Sequence, residues 1–120
     1  MRVFDFSREH AAAVEQFDSR ATASVHLASG GGESHAYCIF FDRGAAIGAH
    51  RAGFDQLFLV VEGEAWAEGE EGRRARLLSG QGAHFTRGEM HSKGSDDGAM
   101  VIMIQASELA IKAPGSGEPG

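Results

Sequence analysis

Two histidines and a glutamine are spaced so that they can meet in one place. His50, Ala52 and Gln56 lie at even offsets, and on an extended chain even offsets project to one face. Phe58 and Val60 continue that face, so an imidazole and a neutral amide share an apolar wall. His91 opens another extended segment just after a glycine turn at Gly88. The chemistry on offer is hydrogen bonding by two imidazoles and an amide against an apolar surface. Gln56, if buried, needs a partner for its amide. His35 and His84 are the other histidines near these segments. Either can face the same pocket, or look away as an interface or outer-face residue. No pair of residues reads as a matched general acid and base. His10 and His26 read as surface residues.

Short strands must position these groups. Glycine makes up 17 of 120 residues, about twice the usual share of ~7%, and the two prolines, Pro114 and Pro119, sit in the last seven residues. Glycine without proline at this level reads as turn punctuation between strands. Residues 35–42, 56–61, 64–68, 74–78, 83–85, 90–92 and 100–106 read as strands, with a tight turn at Glu62-Gly63 between the second and third. This spacing predicts an all-β sandwich or barrel. Residues 57–61 and 100–104 are apolar on both faces, so one face belongs to the interior and the other to an opposite layer or a second subunit. Ala65 and Ala67 suit a narrow interior. That turns Trp66 outward, under the N-terminal arm or into a dimer contact. Residues 8–17 form a short helix with Ser7 as its N-cap, or an irregular arm carrying Phe4 and Phe6 to a partner surface. Residues 25–27 suggest a further short strand, and Gly30-Gly31-Gly32 a flexible break. The organisation expected is an N-terminal arm (1–28), a barrel domain (29–112) and a disordered tail (113–120).

With these residues in place, the chain resembles the cupin superfamily, in particular its small single-domain bacterial members. The first cupin motif is matched in spacing by Gly44, His50, Ala52, Gln56 and Gly63, and the second by Gly80, Thr86, Gly88, His91 and Ser95. The resemblance implies a jelly-roll β-barrel of two antiparallel sheets and a metal site on His50, Gln56 and His91. It also shows two departures: Ala52 stands where the motif has a second histidine, and Gln56 where it has glutamate. Losing a ligand and the site's only negative charge weakens cation binding by several kcal/mol. Zn²⁺, Fe²⁺, Ni²⁺, Cu²⁺ and Mn²⁺ remain the candidate ions, two imidazoles being suited to most of them. Three functions follow. One is a metal-dependent enzyme acting on a small organic substrate, with His35, Phe58 and His84 lining the substrate pocket. Another is a metal-free ligand-binding, sensor or accessory module. The third is a dimerising domain with a vestigial cavity.

Charge and cysteine content narrow the partners. Seventeen acidic against eleven basic residues give a net charge of −6, which argues against nucleic-acid backbones and anionic lipid as partners. No apolar run approaches the ~20 residues that span a bilayer, and the first residues lack the apolar stretch of a signal peptide. The single cysteine, Cys38, reads as a small buried hydrophobe, rules out an internal disulfide and fits a reducing cytoplasm. A homodimer and a small-molecule ligand are the partners expected.

Overall fold

Stretches rich in β-branched and aromatic residues, cut by glycines, pair into antiparallel strands. The computed structural model describes residues 1–117. The strands are β1 (Arg2–Asp5), β2 (Ala12–Ala13), β3 (Ala23–Ser24), β4 (Ala28–Phe41), β5 (Ala46–Arg51), β6 (Asp55–Glu68), β7 (Arg74–Leu78), β8 (Gln81–Phe85), β9 (Met90–Gly94), β10 (Ala99–Ile111) and β11 (Gly115–Gly117). One sheet runs β11-β1-β8-β6-β10-β4. The far half of β6 pairs with β7 and β9, and β9 with β5, which makes the second sheet. β2 and β3 form a small separate hairpin. The expected jelly-roll of two antiparallel sheets is therefore present.

β6 belongs to both sheets because of Gly63. The two strands read at 56–61 and 64–68 are one strand, and Glu62-Gly63 continues it just after a bulge rather than turning the chain. Against β10, Met100 faces Glu62 while Val101 faces Val60, so Val61 is the extra residue that bends the strand. Gly63 has φ +77, and a Cβ there would run into the Gly98 carbonyl and lie 3.0 Å from Ala99 Cα. Only glycine fits this conformation at this approach.

Both faces of β6 and β10 are covered, as their composition requires. The interior face packs Phe41, Phe58, Val60, Ala65, Ala67, Leu77, Ala83, Phe85 and Val101. The outer face packs Leu57 and Leu59 against Phe4 and Ala113, with Phe6, Val25, Leu27 and Leu109 beside them. The cover is therefore the chain's own two ends. This changes the domain boundaries: β1 lies in the main sheet, and Phe4 is fully buried.

Several local expectations are corrected. The helix at 8–17 shrinks to one 3-10 turn, Arg8–His10, and Ser7 makes no side-chain cap. A lone helix of that length is marginal without an apolar face to bury. Phe17 is 91% exposed, so none packs here, and Phe17, Asp18 and Ala21 adopt positive φ. Residues 25–27 are no strand. They run along the outer cluster instead. Gly30-Gly31-Gly32 lies within β4 rather than breaking it, because β10 passes so close that a Cβ on Gly30 would sit 2.6 Å from the Glu108 carbonyl oxygen. The tail does not begin at 113: Ala113 is buried, and Gly115–Gly117 pairs with β1. Residues 118–120, the rest of that stretch, lie outside the described residues. Cys38 is exposed, since it faces outward on β4. Trp66 faces outward as expected, but its cover is the Arg74 guanidinium, 3.5 Å above the ring, rather than the N-terminal segment.

Candidate functional site

His50 on β5 and His91 on β9 are direct cross-strand neighbours. β5 carries a bulge between Ile47 and His50, which lets both residues face the barrel interior despite an odd offset. The two imidazoles lie 4.6 Å apart between ring centroids. His50 is exposed, with Nδ1 2.8 Å from the Gly48 carbonyl oxygen. His91 is 1% exposed and packed on its other side against Phe85, also at 4.6 Å. Both ring nitrogens of His91 are buried without a hydrogen-bond partner among the described residues. Burial is the main reason its pKa drops to about 3, with Lys93 and then His50 adding repulsion.

Gln56 joins this site, but its oxygen is already engaged. Lys93 Nζ donates a 2.9 Å hydrogen bond to Gln56 Oε1, and both side chains are 2% exposed. The ammonium also lies 3.6 Å from Met103 Sδ and 5.4 and 5.6 Å from the ring centroids of Phe85 and Phe58. None of the ion pairs among the described residues includes Lys93. Burial pushes its pKa down to about 8. Lys93 is the residue that spacing arguments missed. Its signal was in the sequence: His91-x-Lys93 puts both side chains on one face of a strand, next to residues already placed inside.

The remaining candidates separate. Gln56, Gln105 and His35 form one row across β6, β10 and β4. His35 is thus on the interior face, at the open rim. There its Nε2 lies 2.7 Å from Glu33 Oε2 and its ring stands edge-on to Phe54 at 5.6 Å. Phe58 is interior and fully buried. His84 does not join them, which corrects its place in the pocket. It alternates with Ala83 and Phe85, which face inward, and pairs with Leu57 of the outer cluster. Burial lowers its pKa as well.

The architecture can now be compared with known proteins. An RmlC-like cupin from Shewanella frigidimarina superposes with a TM-score of 0.59 at 27% identity, covering 62% of this chain and 67% of that one. The chain is a cupin-fold protein. A conserved protein of unknown function from Streptococcus pyogenes (TM-score 0.59, 17% identity, 62% and 65% coverage) shares the barrel. So does a cupin-like protein from Thermotoga maritima (TM-score 0.59, 17% identity, 68% and 65% coverage). This chain thus spans just under two thirds of the length of those last two relatives. No family model matches the chain and no curated protein is similar to it. No described helix is long and apolar enough to cross a membrane.

The donor set of this cupin-fold chain does not fit a divalent cation well. Ala52 offers no donor, Gln56 Oε1 is held by an ammonium, and the site contains no carboxylate. Among the described residues, no three His, Cys, Asp or Glu side chains lie close enough together to share an ion. A divalent ion at His50 and His91 would sit beside the Lys93 charge in a poorly screened interior.

Proposed function

We propose that this cupin is a metal-independent, small-molecule-binding protein whose site carries its positive charge on Lys93. The observation behind this reading is the buried Lys93–Gln56 hydrogen bond, 2.9 Å long, beside His91. A lysine at the centre of the barrel supplies the electrostatics a bound cation would otherwise supply. The ligand it suits is small and presents a carbonyl or carboxylate oxygen. Lys93 donates to that oxygen, neutral His91 offers one N–H and one lone pair, and Phe58, Phe85 and Met103 provide the apolar wall. A ligand would approach on the side of the exposed His50 and His35.

A second reading, metal held by His50 and His91, draws on the two unpartnered His91 nitrogens and on the contact between the rings. One experiment separates the two: elemental mass spectrometry on tag-free protein, before and after incubation with Zn²⁺, Ni²⁺, Cu²⁺, Mn²⁺ or anaerobic Fe²⁺. The expected result is no stoichiometric metal. One metal per chain, lost in His50→Ala and in His91→Ala, would establish the second reading.

We also propose a homodimer through β4. This strand ends its sheet, and on it Phe40 is 72% and Tyr37 48% exposed. Aromatic side chains along an unpaired edge favour a second copy. Light scattering should give twice the 12.7 kDa chain mass. A single chain mass at micromolar concentration would remove the dimer.

A further inference from the structure

The sequence has eleven basic side chains, and only two of them are lysines. Lys112 is exposed, whereas Lys93 is 2% exposed at the centre of the barrel. A fixed interior cation is served at least as well by arginine, which keeps its charge and fills more hydrogen bonds. Lysine offers something arginine does not: a primary amine that can become a nucleophile when desolvated. The surroundings of Nζ suit that role. It lies among Phe58, Phe85 and Met103, held by a neutral amide oxygen rather than a carboxylate. His91 projects from the same face of β9 two residues away, with neither ring nitrogen bonded to a described residue.

We infer that Lys93 captures a small aldehyde as an imine inside the barrel. The inference rests on the metal-independent reading above. The Lys93 ammonium first releases a proton to solvent; the Nζ lone pair this frees adds to the carbonyl carbon, so a C–N bond forms and the carbonyl π electrons move to oxygen. The nitrogen gives up a proton and the oxygen takes one, giving a carbinolamine. The nitrogen then gives up its remaining proton while the hydroxyl takes one, the nitrogen electrons close the C=N bond, the C–O bond breaks and water leaves. Amine plus aldehyde has become imine plus water, with no oxidant or reductant consumed. His91 is placed to pass the proton, since a neutral imidazole carries both a donor and an acceptor. Gln56 orients the amine. The apolar wall of Phe58, Phe85 and Met103 disfavours the water that would reverse the reaction.

The test uses the full chain with propionaldehyde and cyanoborohydride, which reduces an imine to a stable secondary amine, followed by peptide mass mapping. Two amines are internal controls: the exposed Lys112, which ordinary surface reactivity would label first, and the N-terminal amine, which is buried in an ion pair with Glu89. The expected result is propyl modification of Lys93 ahead of both controls, abolished in Lys93→Arg, which keeps the charge, and in Lys93→Met. Modification confined to Lys112 or the N-terminus would overturn the inference. Propionate, which cannot form an imine, separates this failure from that of the binding reading. If propionate shifts the His91 ring resonances but no adduct forms on Lys93, the imine is wrong and the binding site stands. If neither is seen, both fall.

Discussion

Unfolding measured between pH 7 and pH 3 is expected to show a loss of stability centred on His91. Its pKa is about 3 in the folded protein against 6.5 for a free imidazole. Between those values the unfolded chain takes up a proton that the folded chain refuses, so acid favours unfolding. The stability tied to a neutral His91 is fully present above pH 6.5 and is lost progressively as pH falls towards 3. At 1.36 kcal/mol per pKa unit, the whole interval corresponds to about 5 kcal/mol. That is comparable to the total stability of a small domain, roughly 5–15 kcal/mol, so the barrel should unfold within this window. The comparison that isolates His91 is with His91→Leu, similar in size and unable to titrate. Carboxylates titrate in both proteins and cancel in the difference. The variant should keep its stability down to a lower pH, and it should be no less stable at pH 7, because no described residue hydrogen-bonds to His91 and leucine forfeits no such bond. Parallel pH profiles for the two proteins would mean that His91 is solvated.

That same histidine shows what could be read from sequence and what could not. His50 and His91 were found from spacing because turn glycines keep the register of the strands on either side. The structure brings the two side by side across β5 and β9 even though strict alternation does not by itself turn His50 inward. The bulge between Ile47 and His50 turns His50 inward, and nothing in a period of two announces a bulge. The same limit explains why Gly63 read as a turn: a positive-φ glycine ends a strand in one context and bends it in another, and which applies depends on the β10 backbone packed against it. Lys93 was missed for a different reason. Lysine is not a metal ligand, and a lysine between serine and glycine looks like a solvated loop residue until its neighbours are known to face inward. His84 was the opposite case. Strict alternation with Ala83 and Phe85 already pointed it outward, but its nearness to His91 in sequence outweighed that signal. The N-terminal segment was least legible. Phe4 and Leu27 take their conformation from docking on the outer face of β6 and β10, a long-range effect that local pattern does not carry.

Alkaline conditions supply the second large effect. Lys93 has a pKa of about 8 in the barrel against 10.5 for a free lysine. Here too the folded value is the lower one, so the unfolded chain holds more protons between them and raising the pH favours folding. The cost of burying the ammonium is fully present below pH 8 and vanishes above 10.5. It amounts to about 3 kcal/mol. The wild-type protein should therefore gain stability from pH 8 to 10.5 relative to Lys93→Met, which cannot titrate at this position; Tyr37 and Lys112 are common to both and cancel. At pH 7 the variant escapes the ammonium cost but leaves Gln56 Oε1 buried without a donor, a loss of about 1–3 kcal/mol. Its net stability there should change little. Adding Gln56→Met removes the orphaned amide as well, so the double variant should be the most stable of the three at neutral pH. An apolar pair more stable than the Lys93–Gln56 pair it replaces would mean that the barrel keeps a buried, incompletely compensated charge at a cost to its own folding. A small oxygen-bearing ligand at Lys93 recovers that cost on binding. If the three proteins instead share one alkaline profile, the ammonium is solvated in the folded barrel and Lys93 holds no charge in reserve for a ligand.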